Sequence, residues 1–121
     1  MEMPTFNWGI IGLGGIAHKF ASDLTVVKGA KLIGVASRSL DKARDFAARY
    51  DVQRAYGTYD EILKDPLIDA VYIATPHVLH ASNAIAVLGS GKTALVEKPF
   101  AMNSRESRIM IRTAKERGSC L

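Results

Sequence analysis

The sequence predicts an α/β domain built on a doubly wound parallel sheet. Three observations carry that expectation. Short apolar runs alternate with longer segments whose apolar residues recur at helical spacing. Turn and capping residues fall between them. The central runs, such as Ala70-Val71-Tyr72-Ile73-Ala74, are apolar throughout, as strands covered on both faces must be.

Taken in order, the first strand is expected over Asn7 to Ile11 and the first helix over Ile16 to Val26, with Gly29 as a stop. A second strand over Lys31 to Ala36 leads to a helix over Leu40 to Tyr50, capped by Ser39. A short strand over Arg54 to Tyr56 precedes a helix over Tyr59 to Lys64. Thr58 and Glu61 are spaced there as a capping box, in which each side chain satisfies an orphan amide. The fourth strand covers Ala70 to Ala74, and its helix, His80 to Leu88, is closed by Gly89 or Gly91. A fifth strand, Ala94 to Glu97, leads to a helix over Ser104 to Arg117, with Asn103 and Glu106 as a second capping box and Gly118 as its stop. Ser119-Cys120-Leu121 reads as the opening of one more strand. Residues 1–121 are therefore taken as one domain, cut short before a second, α+β domain.

Composition narrows the classes. A chain of 121 residues can bury one core, and 48% hydrophobic with 23% charged residues excludes a disordered chain. Apolar runs fall far short of the ~20 residues that span a bilayer, and the N-terminus has no signal-peptide pattern, so a cytoplasmic location is expected. The single cysteine, Cys120, excludes an internal disulfide or a Cys-based metal cluster and reads as a small buried hydrophobe. Net charge is +4 and the pI about 9.4. Much of the surplus lies in Arg105, Arg108, Arg112, Lys115 and Arg117, with Glu106 and Glu116 interspersed, which describes a solvated helix face and not a nucleic-acid surface. A modest positive field also suits a polyphosphate cofactor.

The strongest motif follows the first strand: Gly12-Leu13-Gly14-Gly15-Ile16-Ala17, which is G-x-G-x-x-A between a strand and a helix. Gly12 permits the tight turn, Gly14 lets the backbone approach a pyrophosphate, and Ala17 keeps the helix close to its strand. Amides at the helix N-terminus, where Gly15 and Ile16 stand, face the anion. An NAD-specific domain places an acid at the end of the second strand. Here the segment is Ala36-Ser37-Arg38-Ser39 with Lys42 beyond, and no acid precedes Asp41. A serine hydroxyl and a guanidinium bind a 2′-phosphate that a carboxylate would repel, so NADP is expected over NAD.

Two further motifs fall at carboxyl ends of strands, beside the crevice where open α/β sheets bind ligands. Thr75-Pro76-His77-Val78-Leu79-His80 follows the fourth strand and Glu97-Lys98-Pro99-Phe100 the fifth. Thr75, Pro76, His77 and His80 are candidate cofactor contacts. No Cys or carboxylate stands near the two histidines to complete a metal set, so no metal is expected.

The order G-x-G-x-x-A, Ser-Arg, Thr-Pro-His-x-x-His, Glu-Lys-Pro resembles the N-terminal Rossmann domain of the glucose–fructose oxidoreductase, inositol dehydrogenase and MocA family, from about Phe6 to Gly118. Within it, Val35-Ala36-Ser37-Arg38-Ser39 and Val71 to His77 look most like the dimeric trans-dihydrodiol dehydrogenases and their sugar-oxidising relatives, which are NADP-dependent. The family has Asn where this chain has His77, whereas His80 matches the motif's histidine. The resemblance implies that Lys98 points at a substrate hydroxyl beside C4 of the nicotinamide and that Glu97 helps hold the cofactor. The chemistry agrees: hydride transfer from an alcohol requires loss of its proton, and an ammonium beside the forming alkoxide stabilises its charge or relays that proton.

The same resemblance implies a second domain that covers the nicotinamide, supplies further catalytic residues and carries most of a homo-oligomer interface. Without that lid, water screens the electrostatics of the site, and the 121-residue chain is expected to bind cofactor with little or no turnover. A sugar, polyol or dihydrodiol would each present a secondary alcohol to Lys98. Two rival readings remain: a non-catalytic nicotinamide-nucleotide module, against which Glu97-Lys98-Pro99 counts, and an S-adenosylmethionine-dependent methyltransferase, whose usual acid after the second strand is absent.

Overall fold

In the computed structural model, which describes residues 6–75 and 79–96, five strands form one parallel sheet. β1 (Phe6–Ile11), β2 (Ala30–Ala36), β3 (Arg54–Tyr56), β4 (Ala70–Ile73) and β5 (Thr93–Val96) stand in the order β3-β2-β1-β4-β5. Helices α1 (Gly15–Leu24), α2 (Leu40–Tyr50), α3 (Tyr59–Leu63) and α4 (His80–Gly89) alternate with them. The doubly wound sheet is thus present, with α2 and β3 at the expected bounds. The expected helix over Ser104 to Arg117, its caps and the residues after Gly118 lie outside the described residues.

Side-chain alternation along the strands divides the core into two layers. Trp8, Ile10, Val35, Ala70 and Tyr72 point to α1 and α2, which contribute Ala17, Phe20, Leu24, Ala43 and Phe46. Ile11, Ala36, Val71, Ile73 and Ala94 point the other way, to Ile62 of α3 and Val87 of α4. The helices are amphipathic to match: Ala17, Phe20, Ala21 and Leu24 recur at helical spacing on the buried stripe of α1. Phe20 stacks on Tyr72 with ring centroids 3.9 Å apart, and Trp8 meets Phe20 edge-on at 5.4 Å. Each such fully buried large side chain contributes roughly 1.5–3 kcal/mol.

One irregularity was not legible in the sequence. Trp8 pairs with Leu32 but Gly9 with Gly34, so Ile33 is an extra residue in β2 and packs in the layer of Ile62 and Ile68. Gly9 and Gly34 leave room for that layer: a Cβ on Gly34 would come within 2.9 Å of the Ile68 side chain.

The helix ends have identifiable causes. α1 stops at Leu24, two residues before the expected Val26, because burying Val27 turns the chain and leaves Val26 exposed; Thr25 Oγ1 donates to the Ser22 carbonyl at 2.7 Å in that turn. Gly29, at φ +79°, then redirects the chain into β2 and does not cap the helix itself. At α4 the stop is Gly91, at φ +84°: its amide donates to the Leu88 carbonyl and that of Lys92 to Val87, the paired bonds of a Schellman motif. α2 ends without glycine, on Asp51 at φ +55°. Among the described residues no helix is long and apolar enough to cross a membrane.

Candidate functional site

The strand order creates the site. β1 has β2 on one side and β4 on the other, so the chain leaves its neighbours in opposite directions and a crevice opens beyond the carboxyl ends of the strands. The Gly12 amide donates to the Ala36 carbonyl and the Ala74 amide to Ile11, which ties the loops after β1, β2 and β4 together. Gly12 is required there on two counts. Its φ is +84°, and a Cβ would meet backbone atoms of Ala74 and Thr75 at 2.8 Å.

A cleft of about 760 Å³ occupies this crevice. Gly12, Gly14, Gly15 and Ile16 form its floor, Ser37, Arg38 and Lys42 one wall, and Thr75 the wall at β4. These eight sequence-predicted residues are brought together. Ala17 is not: it is fully buried in the layer between α1 and the sheet, where it serves the motif by packing the helix close to its strand and not by lining the cleft. Pro76, His77, Glu97, Lys98 and the side chain of His80, which opens α4, lie outside the described residues.

Sequence reasoning missed Leu13, Ser39, Tyr59 and Ala74, all of which line the cleft. Ser39 caps α2 as well as facing the cleft, and Tyr59 opens α3. Their signal was position, since each follows the carboxyl end of a strand.

The floor has the form of an anion cradle. α1 begins at Gly15 after the N-cap Gly14, with no side-chain cap and no acid in its first turn. The first amides of a helix have no intrahelical acceptor, so those of Gly15 and Ile16 remain available. Nothing lies within 4 Å of a Cβ built on Gly14 or Gly15, so the space above them is open. The helix dipole adds partial positive charge at that end.

The wall after β2 continues the pattern. Ser37 Oγ accepts from the Ser39 amide at 3.2 Å, and Ser39 Oγ accepts from the Lys42 amide at 3.4 Å. With an acceptor position used, each hydroxyl keeps its hydrogen to donate. Arg38 and Lys42 are exposed, and among the described residues no acid lines the cleft. Thr75 is buried, and its Oγ1 accepts from Asn83 Nδ2 of α4 at 2.6 Å.

Among the described residues the shifted titratable groups lie away from this cleft. Asp65, in the link from α3 to β4, accepts from Arg54 Nη1 at 2.6 Å, Tyr56 OH at 2.7 Å and the Leu67 amide at 3.0 Å. Burial pushes its carboxyl up, but these hydrogen bonds outweigh burial and hold it below the usual range. Burial, followed by the bond to Asp65, raises the Tyr56 hydroxyl, and the bond to Asp65 raises Arg54. Lys92 Nζ donates to the carbonyls of Asp65 and Ile68. The network pins β3, the α3 link and the start of β5 together and takes no part in the cleft.

Comparisons with known proteins agree with this geometry. The model of the glucose–fructose oxidoreductase, inositol dehydrogenase and MocA family, described as an oxidoreductase family with an NAD-binding Rossmann fold, matches residues 6–121. Trans-1,2-dihydrobenzene-1,2-diol dehydrogenase from Sus scrofa is 37% identical over 114 residues, covering 93% of this chain and 34% of that protein. The human enzyme of the same name is 37% identical over 113 residues. A 3-ketoreductase from Actinomadura kijaniata, solved with TDP-benzene and NADP, superimposes with a TM-score of 0.77 at 30% identity, covering 97% of this chain and 37% of the other. A probable dehydrogenase from Thermotoga maritima gives a TM-score of 0.74 at 28% identity, covering 94% and 34%. The chain thus spans about a third of the length of the curated relatives it matches.

Proposed function

The chain belongs to the glucose–fructose oxidoreductase, inositol dehydrogenase and MocA family of oxidoreductases, whose NAD-binding Rossmann domain it matches, and from that premise we propose that it binds NADP in preference to NAD. The observation that carries this reading is the bare N-terminus of α1 beside a wall with two cations and, among the described residues, no acid. The amides of Gly15 and Ile16 would hold the pyrophosphate, and the Ser37 and Ser39 hydroxyls with Arg38 and Lys42 the 2′-phosphate, through charge-assisted hydrogen bonds. The ketoreductase solved with NADP supports the same choice.

In the whole protein the reaction we propose is hydride transfer between the nicotinamide and a secondary alcohol of a sugar, polyol or dihydrodiol. The bound nicotinamide supplies the hydride acceptor or donor. This chain's part is to hold it at the mouth of the crevice, with Thr75, Pro76, His77, His80 and Glu97 along its nicotinamide half. Lys98 is the catalytic residue of this half: its side chain stabilises the charge of the forming alkoxide or relays the hydroxyl proton. Residues 1–121 act as one cofactor-binding domain. A second domain supplies the substrate pocket and a homo-oligomer interface in a cytoplasmic protein, with no nucleic-acid or membrane partner.

Calorimetric titration with NADPH, NADH and S-adenosylmethionine tests the cofactor. We expect NADPH to bind about ten-fold or more tighter than NADH, the scale of one charge-assisted contact pair, and Ser37→Asp to invert the order. Equal affinities would remove the role of Ser37 and Arg38. Binding of S-adenosylmethionine alone would remove the whole reading.

A further inference from the structure

We infer that Asn83 is a positioning residue for the cofactor cleft, acting through Thr75. The inference rests on the cofactor reading above. Thr75 stands where β4 ends, and its backbone nitrogen lies 2.8 Å from the point a Gly12 Cβ would occupy, so it abuts the glycine-rich loop. It is 4% exposed, yet it forms part of the cleft wall. From the other side Asn83 Nδ2, on the fourth residue of α4, donates to Thr75 Oγ1 at 2.6 Å. The bond spans the connection between β4 and α4, and it couples the helix to the wall that faces Gly12.

Helix propensity gives no reason for asparagine at this position. Asparagine is a weaker helix former than alanine, because its amide competes for backbone partners. Asn83 is half-buried, in contact with a threonine hydroxyl that would otherwise hold its rotamer with one partner fewer. The residue therefore spends helix stability on the position of Thr75. Loss of its amide removes one of the restraints on the Thr75 side chain and loosens the wall against the loop, which weakens cofactor binding while leaving the sheet intact.

The test is calorimetric titration of NADPH into the chain and its Asn83→Ala, Thr75→Val and double variants, with thermal melts of each. Asn83→Ala is expected to raise Kd about five-fold, the scale of one net hydrogen bond, with a melting temperature unchanged or higher. In the Thr75→Val background, where no acceptor remains, Asn83→Ala should add nothing. Unchanged affinity in Asn83→Ala, or penalties that multiply in the double variant, would overturn the inference. So would a fall in melting temperature that tracks the loss of affinity, since that would make Asn83 a structural residue only. If the unaltered chain bound no NADPH, the cofactor reading itself would fall and this inference with it.

Discussion

The N-termini of α1 and of α2 and α3 are built from opposite choices. α2 starts at Ser39, whose Oγ accepts from the Lys42 amide, and has Asp41 in its first turn. α3 starts at Thr58, whose Oγ1 accepts from Glu61, and has Asp60 and Glu61 there. Each satisfies one orphan amide with its cap side chain and offsets the dipole with acids, which contributes about 1 kcal/mol each. α1 has glycine at its N-cap, no side-chain bond and no acid. Among these three helices the difference separates ends that serve the fold from the end that faces the cleft: α1 forgoes its cap and keeps its amides open there.

The largest effect we expect comes from the turn that aims α1. Gly12→Ala must accept a left-handed φ and a backbone contact at 2.8 Å, so urea unfolding should show a loss of roughly 3 kcal/mol; wild-type stability would show that the loop tolerates another path. Next comes the conversion of α1 into a helix of the other type. In Gly14→Asp the carboxylate can take the free amides, so NADPH affinity should fall on the order of 100-fold, while the ligand-free chain gains roughly a few tenths of a kcal/mol. Affinity and stability falling together would break the comparison. The converse change, Thr58→Ala, should cost about 1 kcal/mol in a urea melt and leave the NADPH Kd within about two-fold, because Thr58 does not line the cleft.

The smallest effect concerns acid, and it serves as a control outside both groups of helices. Asp65 is held below the usual carboxylate range in the folded chain. A depressed carboxylate adds stability that is fully present above its unfolded value, about pH 4, and is lost as pH falls through the lower folded value. Stability measured from pH 5 downward should therefore fall more steeply in the native chain than in Asp65→Asn. Parallel slopes would remove Asp65 from the acid response.

The order and type of every described element were legible in the sequence, because strands buried on both faces and amphipathic helices leave different periodicities. What escaped reading was set by tertiary packing. Nothing in Leu32-Ile33-Gly34 announces an extra residue in β2, which depends on the register with β1. The end of α1 depends on where Val27 must be buried. The site followed the same division. Gly12, Gly14 and Ser37 carry their roles in local backbone and side-chain chemistry, whereas Tyr59 enters the cleft only because β3 delivers α3 to the same sheet edge as α2. Ala17 belongs to the motif but not to the cleft, since the motif also records how closely a helix packs on its strand.

Trp8 has a practical consequence. It is the single tryptophan of the chain, fully buried in the middle of β1 and edge-on to Phe20. Its emission will be blue-shifted while the sheet is closed and will move to the red when the sheet opens. Reduced nicotinamide fluoresces at longer wavelength. One sample can therefore be read in two colours, the indole for the integrity of the core and the dinucleotide for occupancy of the cleft.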